Sequence, residues 1–139
     1  MRVVLDTNVF ISAVFFAGPP YKILEAWRDG KIRIVLSPEI LAEYQRVGVA
    51  LAELYPGVEL DPILDLLTVK AQLIEAPELP EPACQDPDDD KFLACALASK
   101  TKILVSGDKH LLKMNGYRGI EVVRPREFLN RYLRKDSGS

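Results

Sequence analysis

The chain has 139 residues, 48% of them hydrophobic and 27% charged, a balance that excludes a disordered tail, a collagen-like chain and a disulfide scaffold. At this length one core buries roughly two-thirds of the surface exposed by the unfolded chain, so a single domain over residues 1–135 is expected, followed by a polar, disordered tail at 136–139. The net charge of −2, from 18 basic and 20 acidic residues, gives no broad positive field for DNA or anionic lipid, and any contact with nucleic acid has to be local.

In chain order, Val3 to Leu5, Ile32 to Leu36, Ile103 to Val105 and Ile120 to Val123 read as strands, and a segment around Leu73 and Ile74 as an added edge strand. Longer helical patterns lie between them, which predicts a mainly parallel sheet with helices on both faces, a three-layer α/β/α sandwich. Helix starts are marked where a side-chain acceptor precedes proline, at Ser37-Pro38, Asp61-Pro62 and Asp86-Pro87. The first carries Ile40, Tyr44, Val47 and Leu51 inward, and the second Ile63, Leu66, Leu67 and Val69. Gly30 and Gly57 suit element ends. The four prolines from Pro77 to Pro87 read as a long surface loop inside the domain. A last helix from about Pro125 packs Phe128, Leu129 and Tyr132, and Arg124, Arg126, Arg131, Arg134 and Lys135 beside it read as a solvated basic face.

The longest nearly apolar stretch, Val9 to Ala17, is interrupted by Ser12 and falls short of the ~20 residues of a membrane span. Asp6 breaks the pattern of a secretory signal, so a cytoplasmic protein is expected. Cys84 and Cys95 form no CxxC pair, and His110 is the only histidine. Thiol and zinc chemistry are both disfavoured.

Carboxylates carry the chemical signal. Asp6 directly follows the first strand and Asp108 follows Ile103 to Val105 after the turn Ser106-Gly107, so in a parallel sheet both face the crevice at the strand ends. Either also suits a helix cap. Glu43 lies three after Ile40 and four before Val47, inside the apolar stripe. A carboxylate buried there needs a cation, a hydrogen-bond network or a metal. In the run Asp86-Pro87-Asp88-Asp89-Asp90, a helix starting at Pro87 puts Asp88 and Asp89 in a solvated first turn that suits the helix dipole. It puts Asp90 on the buried face with Leu93, Ala94 and Leu97. Four converging carboxylates, Asp6, Glu43, Asp90 and Asp108, are oxygen ligands for Mg²⁺ or Mn²⁺. Such a ring is the usual apparatus of phosphodiester hydrolysis.

With Val3-Val4-Leu5-Asp6-Thr7-Asn8, Leu41-Ala42-Glu43-Tyr44, Asp90-Lys91-Phe92-Leu93-Ala94-Cys95-Ala96 and Ser106-Gly107-Asp108-Lys109-His110-Leu111-Leu112 in this order, nearly the whole chain resembles a PIN domain. The resemblance implies a metal-dependent ribonuclease acting on single-stranded RNA, with Asp6, Glu43, Asp90 and Asp108 as its acids. Asp6, Asp90 and Asp108 are then the ligands of Mg²⁺ or Mn²⁺, and Glu43 binds metal or orients the attacking water. Thr7, Asn8 and Ser106 become supports of the site, and Lys91 and Lys109 candidate RNA contacts. Many prokaryotic members of this length resemble the toxins of toxin–antitoxin pairs, which implies a small antitoxin partner placing a basic side chain in the pocket; assembly as a homodimer is a further expectation. Two other readings stand beside it. An aspartyl-phosphate enzyme with Asp6 as nucleophile fits less well, because a haloacid-dehalogenase-like phosphatase needs a second aspartate where Asn8 stands. A catalytically silent RNA- or protein-binding adaptor is disfavoured by the intact acids.

Overall fold

The structure is a computed structural model that describes residues 1–133; the tail expected at 136–139, together with Arg134 and Lys135, lies outside the described residues. Five strands, β1 (Arg2–Leu5), β2 (Arg33–Leu36), β3 (Gln72–Leu73), β4 (Ile103–Val105) and β5 (Glu121–Val123), form one parallel sheet in the order β3-β2-β1-β4-β5. β1 is central, and its Val3, Val4 and Leu5 are fully buried. This is the burial expected of a strand covered on both faces, and it explains the unbroken aliphatic runs. The expected edge strand is present as β3, tied further by the Ile74 amide to the Leu36 carbonyl at 2.9 Å. β2 and β5 each begin one residue later than their apolar runs, although Ile32 and Ile120 are still buried.

Between β1 and β2 lie α1 (Thr7–Phe15) and α2 (Pro19–Arg28); α3 (Pro38–Ala52) and α4 (Asp61–Lys70) join β2 to β3. The chain then returns across the sheet through α5 (Asp90–Ser99) to β4 and through α6 (Lys109–Leu112) to β5, and the described residues close with α7 (Pro125–Phe128) and a π-helical turn, Leu129–Leu133. The links from β1 to β3 run one way along the sheet and those from β3 to β5 the other. Right-handed crossovers place their helices on opposite faces. In agreement, α1 packs against both α2 and α3, and α7 against α2, while α5 packs across β1, β2 and β4. The result is the expected α/β sandwich, and its direction reverses between β1 and β4.

Two expected helix starts differ. α4 begins at Asp61 itself, with Leu60 in the capping position and no side-chain capping bond. Its buried side is narrow: Leu67 is buried, but Val69 is 81% exposed, so the expected inward Val69 is corrected. An α-helix advances ~100° per residue, so Val69, two residues from Leu67, stands about 160° away from it around the helix. At Pro87 the chain forms a 3₁₀ turn, Pro87–Asp89, capped by Asp86 through the Asp88 amide at 3.0 Å, and α5 starts only at Asp90. Three residues per turn instead of 3.6 rotate each side chain by a further ~20°, which displaces any count made from Pro87 as an α-helix.

α3 follows its expected pattern, with Ile40 and Tyr44 fully buried. The Tyr44 ring stacks on Phe10 of α1 at a centroid separation of 4.2 Å, and its hydroxyl donates to the Leu5 carbonyl at the end of β1. α3 is thereby fixed against the residue preceding Asp6. Tyr44→Phe keeps the stack and strips that carbonyl of its side-chain donor. The expected loss is about 1–2 kcal/mol of unfolding free energy in a denaturant titration, and an unchanged midpoint and slope would show that the bond contributes nothing.

Candidate active site

The end of β1 runs directly into α1, and Asp6 is the joint. Its Oδ1 accepts from the Val9 amide at 2.8 Å, capping α1, while its own amide donates to the Val105 carbonyl of β4 at 3.1 Å. Its Oδ2 accepts from the Ser106 hydroxyl. Ser106 in turn accepts from the Asp108 amide at 2.9 Å, and Asp108 Oδ1 caps α6 through the His110 amide at 2.8 Å. Capping and site-facing readings of Asp6 and Asp108 are therefore compatible: one oxygen of each holds a helix. Asp6 is 3% exposed. Burial pushes its carboxyl up from 3.8 to about 6, against the pull of the Ser106 and Val9 hydrogen bonds, and the charges of Asp108 and Glu43 add to the rise.

Glu43 lies across from this joint on α3, its side chain 12% exposed. Thr7 donates to its Oε1 at 2.5 Å, Lys91 contacts its Oε2, and Arg46 stands 3.8 Å from the same oxygen. The buried carboxylate thus has the cation and the hydrogen bond that its place in the stripe demands. Lys91, considered above as an RNA contact, also reaches Asp88 at 3.2 Å. Burial acts to lower the Lys91 pKa, but the bonds to Glu43 and Asp88 outweigh it and the net shift is upward.

The acidic run is divided differently from its expected helical positions. Asp90 turns toward the proline-rich loop, where Oδ1 accepts from the Cys84 amide at 2.7 Å and Oδ2 from the Ala83 amide at 3.2 Å. Asp88 is a solvated side chain, 70% exposed. Asp89, expected to be solvated as well, is half-buried, and its Oδ2 is sealed from solvent without a hydrogen-bond partner among the described residues. Burial first, then the charges of Asp108, Asp86, Asp6 and Asp88, push its carboxyl up from 3.8 to about 7. Asn8 is exposed on the first turn of α1 and its side chain makes no hydrogen bond among the described residues; Lys109 is exposed beside Asp108. A cleft of about 590 Å³ opens between the starts of α3 and α5 and the proline-rich loop, with Glu39, Asp88, Asp90 and Lys91 in its walls.

A family model described as a PIN domain matches residues 2–110. The chain belongs to the PIN domain family. Members are in general nucleases, hydrolases that use divalent metal ions. This PIN domain is 37% identical over 145 residues to an uncharacterized protein of Methanocaldococcus jannaschii, covering 95% of this chain and 92% of the relative. Two solved structures share its fold. VapBC2 from Rickettsia felis, bound to a DNA fragment from their promoter, superimposes with a TM-score of 0.59 at 18% identity, over 89% of this chain and 98% of that one. A PilT N-terminus domain protein from Sulfolobus solfataricus does so with a TM-score of 0.53 at 18% identity, over 96% and 94%.

The side chains of this PIN domain suit a hard divalent cation. The donors are carboxylate oxygens, and a buried carboxylate oxygen of Asp89 has no hydrogen-bond donor among the described residues. Among the described residues no three acidic, histidine or cysteine side chains form a ready-made cage; carboxylates without a cation between them repel. Both cysteines are buried and free, and burial is the first cause raising each thiol to about 12. Arg131 pairs with Glu121 at 2.9 Å and Glu127 at 3.5 Å, so this part of the C-terminal basic group is occupied by its own neighbours. Among the described residues no single helix is long and apolar enough to cross a membrane.

The raised Asp6 carboxyl sets a pH dependence. Between its unfolded value of 3.8 and its folded value of about 6, the folded chain holds a proton that the unfolded chain releases. The linked stability, on the order of 3 kcal/mol, is present in full below the lower value and is lost as pH rises through the upper one. Asn does not titrate and caps a helix equally well. In chelator, the melting temperature of Asp6→Asn minus that of the wild type should therefore grow from about pH 4 to pH 7. A constant difference across that window would show that Asp6 carries no such strain.

Proposed function

We propose that this PIN domain is a metal-dependent endoribonuclease that hydrolyses phosphodiester bonds of single-stranded RNA. One observation supports it most: Asp6 and Asp108 are joined through Ser106 at the strand-order reversal between β1 and β4, the place where open α/β sheets bind ligands. In this reading Asp6 and Asp108, with a carboxylate from the start of α5 that the sequence motif marks as Asp90, hold Mg²⁺ or Mn²⁺. A bound ion of this kind would activate water for attack on phosphorus and offset the charge that develops on the phosphate and on the leaving oxygen. Ser106 keeps the two strand-end acids in register, and Thr7 fixes Glu43, which binds metal or orients the attacking water. Lys91 balances the charge of Glu43, and exposed Lys109 meets the RNA backbone.

The acidic crevice also suits a basic side chain from a small protein partner, so the same reading includes the toxin of a toxin–antitoxin pair. Co-purification of a small protein that blocks cleavage would support that part.

Purified protein incubated with labelled single-stranded and structured RNAs tests the central claim. Cleavage of the single-stranded species is expected with Mn²⁺ and none with chelator. Asp6→Asn should abolish turnover, whereas Asp88→Asn, whose side chain is solvated, should leave the rate nearly unchanged. Mn²⁺ at about a hundred times its dissociation constant should stabilise the wild type by about 2.7 kcal/mol, read as a rise in melting temperature, and Asp6→Asn should gain little. Equal metal-induced shifts in the two proteins would remove Asp6 from the site. Labelled phosphate appearing on Asp6 would replace hydrolysis by phosphotransfer, and RNA binding with no cleavage under any metal would make the chain an adaptor.

A further inference from the structure

The edge of the sheet opposite the carboxylates carries the other sign of charge. Arg2 of β1 and Arg33 of β2 are register partners, so their side chains leave the sheet side by side on one face. Val4 pairs with Leu104, which sets Lys102, two residues before Leu104, in the same row as Arg2. The Glu121 amide, donating to the Lys102 carbonyl at 2.8 Å, carries the ladder down to that level. Adjacent strands lie about 4.8 Å apart, so three neighbouring strands start from cations at one height. Lys31 and Lys100, exposed in the connections that feed β2 and β4, add two more. Lys70 stands at the corresponding place before β3, but its ammonium donates to the Arg28 carbonyl at the end of α2, at 3.0 Å.

Like charges side by side repel, and nothing in the fold offsets the repulsion. Among the described residues none of Arg2, Arg33 and Lys102 forms an ion pair. Of the acids near them in the chain or the sheet, Asp29 stands exposed after α2, and Glu121 is already held by Arg131 and Tyr132. The buried residues that follow, Val3, Ile34 and Ile103, anchor the strands by themselves. A solvated strand start needs a polar residue, but of either sign. A row of unpaired cations a few ångströms apart fits a chain of repeated anions, and a nucleic acid backbone is such a chain. The crevice cannot attract that backbone by itself, because its own groups are carboxylates. The row stands four residues, about 13 Å along β1, from Asp6.

We propose that Arg2, Arg33 and Lys102 form a phosphate-binding row for single-stranded RNA, which holds the backbone of nucleotides flanking those in the carboxylate crevice. Phosphate contacts position a strand and carry no base preference, so the row supplies affinity and leaves the choice of sequence to the crevice. RNA as the polyanion rests on the reading given under Proposed function; the row of unpaired cations does not.

Binding of a labelled, unstructured RNA oligomer to the full chain, measured in chelator across a series of salt concentrations, tests the row without any cleavage. Each phosphate contact to a single strand adds about 0.7 to the slope of log affinity against log salt. Arg2→Gln/Arg33→Gln should therefore reduce the slope by about 1.4 and Lys102→Gln by about 0.7. Bound RNA should also protect the Lys102 amine from acylation, read by mass spectrometry. Because the two arginines repel, their double variant should melt no lower than the wild type at low salt. Lys102→Gln, which changes an exposed side chain, decides where the double variant folds poorly. A wild-type slope in both variants overturns the proposal, and so does a wild type that binds no RNA in chelator. A reduced slope with Lys102 left unprotected traces the effect to net charge and overturns it too. Self-association of the wild type at low salt that the variants abolish gives the row to a second copy of the chain instead. RNA bound with the expected slopes but never cleaved with Mn²⁺ removes the nuclease and keeps the row, whereas cleavage with unchanged slopes removes the row and keeps the nuclease.

Discussion

The hydroxyl of Ser106 joins the two halves of this molecule. It donates to Asp6, at the end of the central strand, and accepts from the amide of Asp108, beyond the neighbouring strand. β1 and β4 are parallel neighbours paired through Leu5 and Val105, so their ends lie at the same level, while the chain leaves them toward opposite faces of the sheet. A small hydroxyl at that fork satisfies a buried carboxylate and organises the start of the next helix at once. The helix caps, the burial of Asp6 and the electrostatic pressure on the acids all follow from this meeting.

Around that joint the protein balances charge unequally. Glu43 is closely matched, with a threonine on one oxygen and a lysine on the other. Asp6 has only neutral donors, and half-buried Asp89 is left with an oxygen that has none among the described residues. Neutral hydrogen bonds stabilise an ionised carboxylate, but where burial opposes them they do not restore what water gives, and the proton is retained to a higher pH. The carboxylates around the joint are therefore unequally matched, Glu43 by a cation and Asp6 by neutral hydrogen bonds alone.

Much of this was legible in the residues. Strand-end acids need only a correctly read parallel sheet, and Glu43 stood out because a carboxylate in an apolar stripe requires a partner. The period did not name that partner as Lys91, since the contact spans 48 positions and depends on how α3 meets α5. The assignment of the acidic run depended on counting from Pro87 at helical pitch, and a single 3₁₀ turn was enough to disturb the count. Asp61 before Pro62 has the composition of a cap, but a helix that begins one residue early makes no use of its side chain. Asn8 adjoins Asp6 and Thr7 in sequence, yet consecutive residues on a helix point about 100° apart, and it faces solvent.

Because Asp90 grips Ala83 and Cys84 by their amide groups, the proline-rich segment is held by atoms that nearly every amino acid possesses. Exposed positions there, such as Glu81, Pro82 and Gln85, can change size, charge and hydrogen-bonding character without loosening the attachment, provided that Ala83 and buried Cys84 keep side chains the core can hold and neither becomes proline, which has no amide hydrogen to give. A surface rim that varies freely over an anchored main chain lets descendants of one scaffold acquire different tastes while inheriting the same interior.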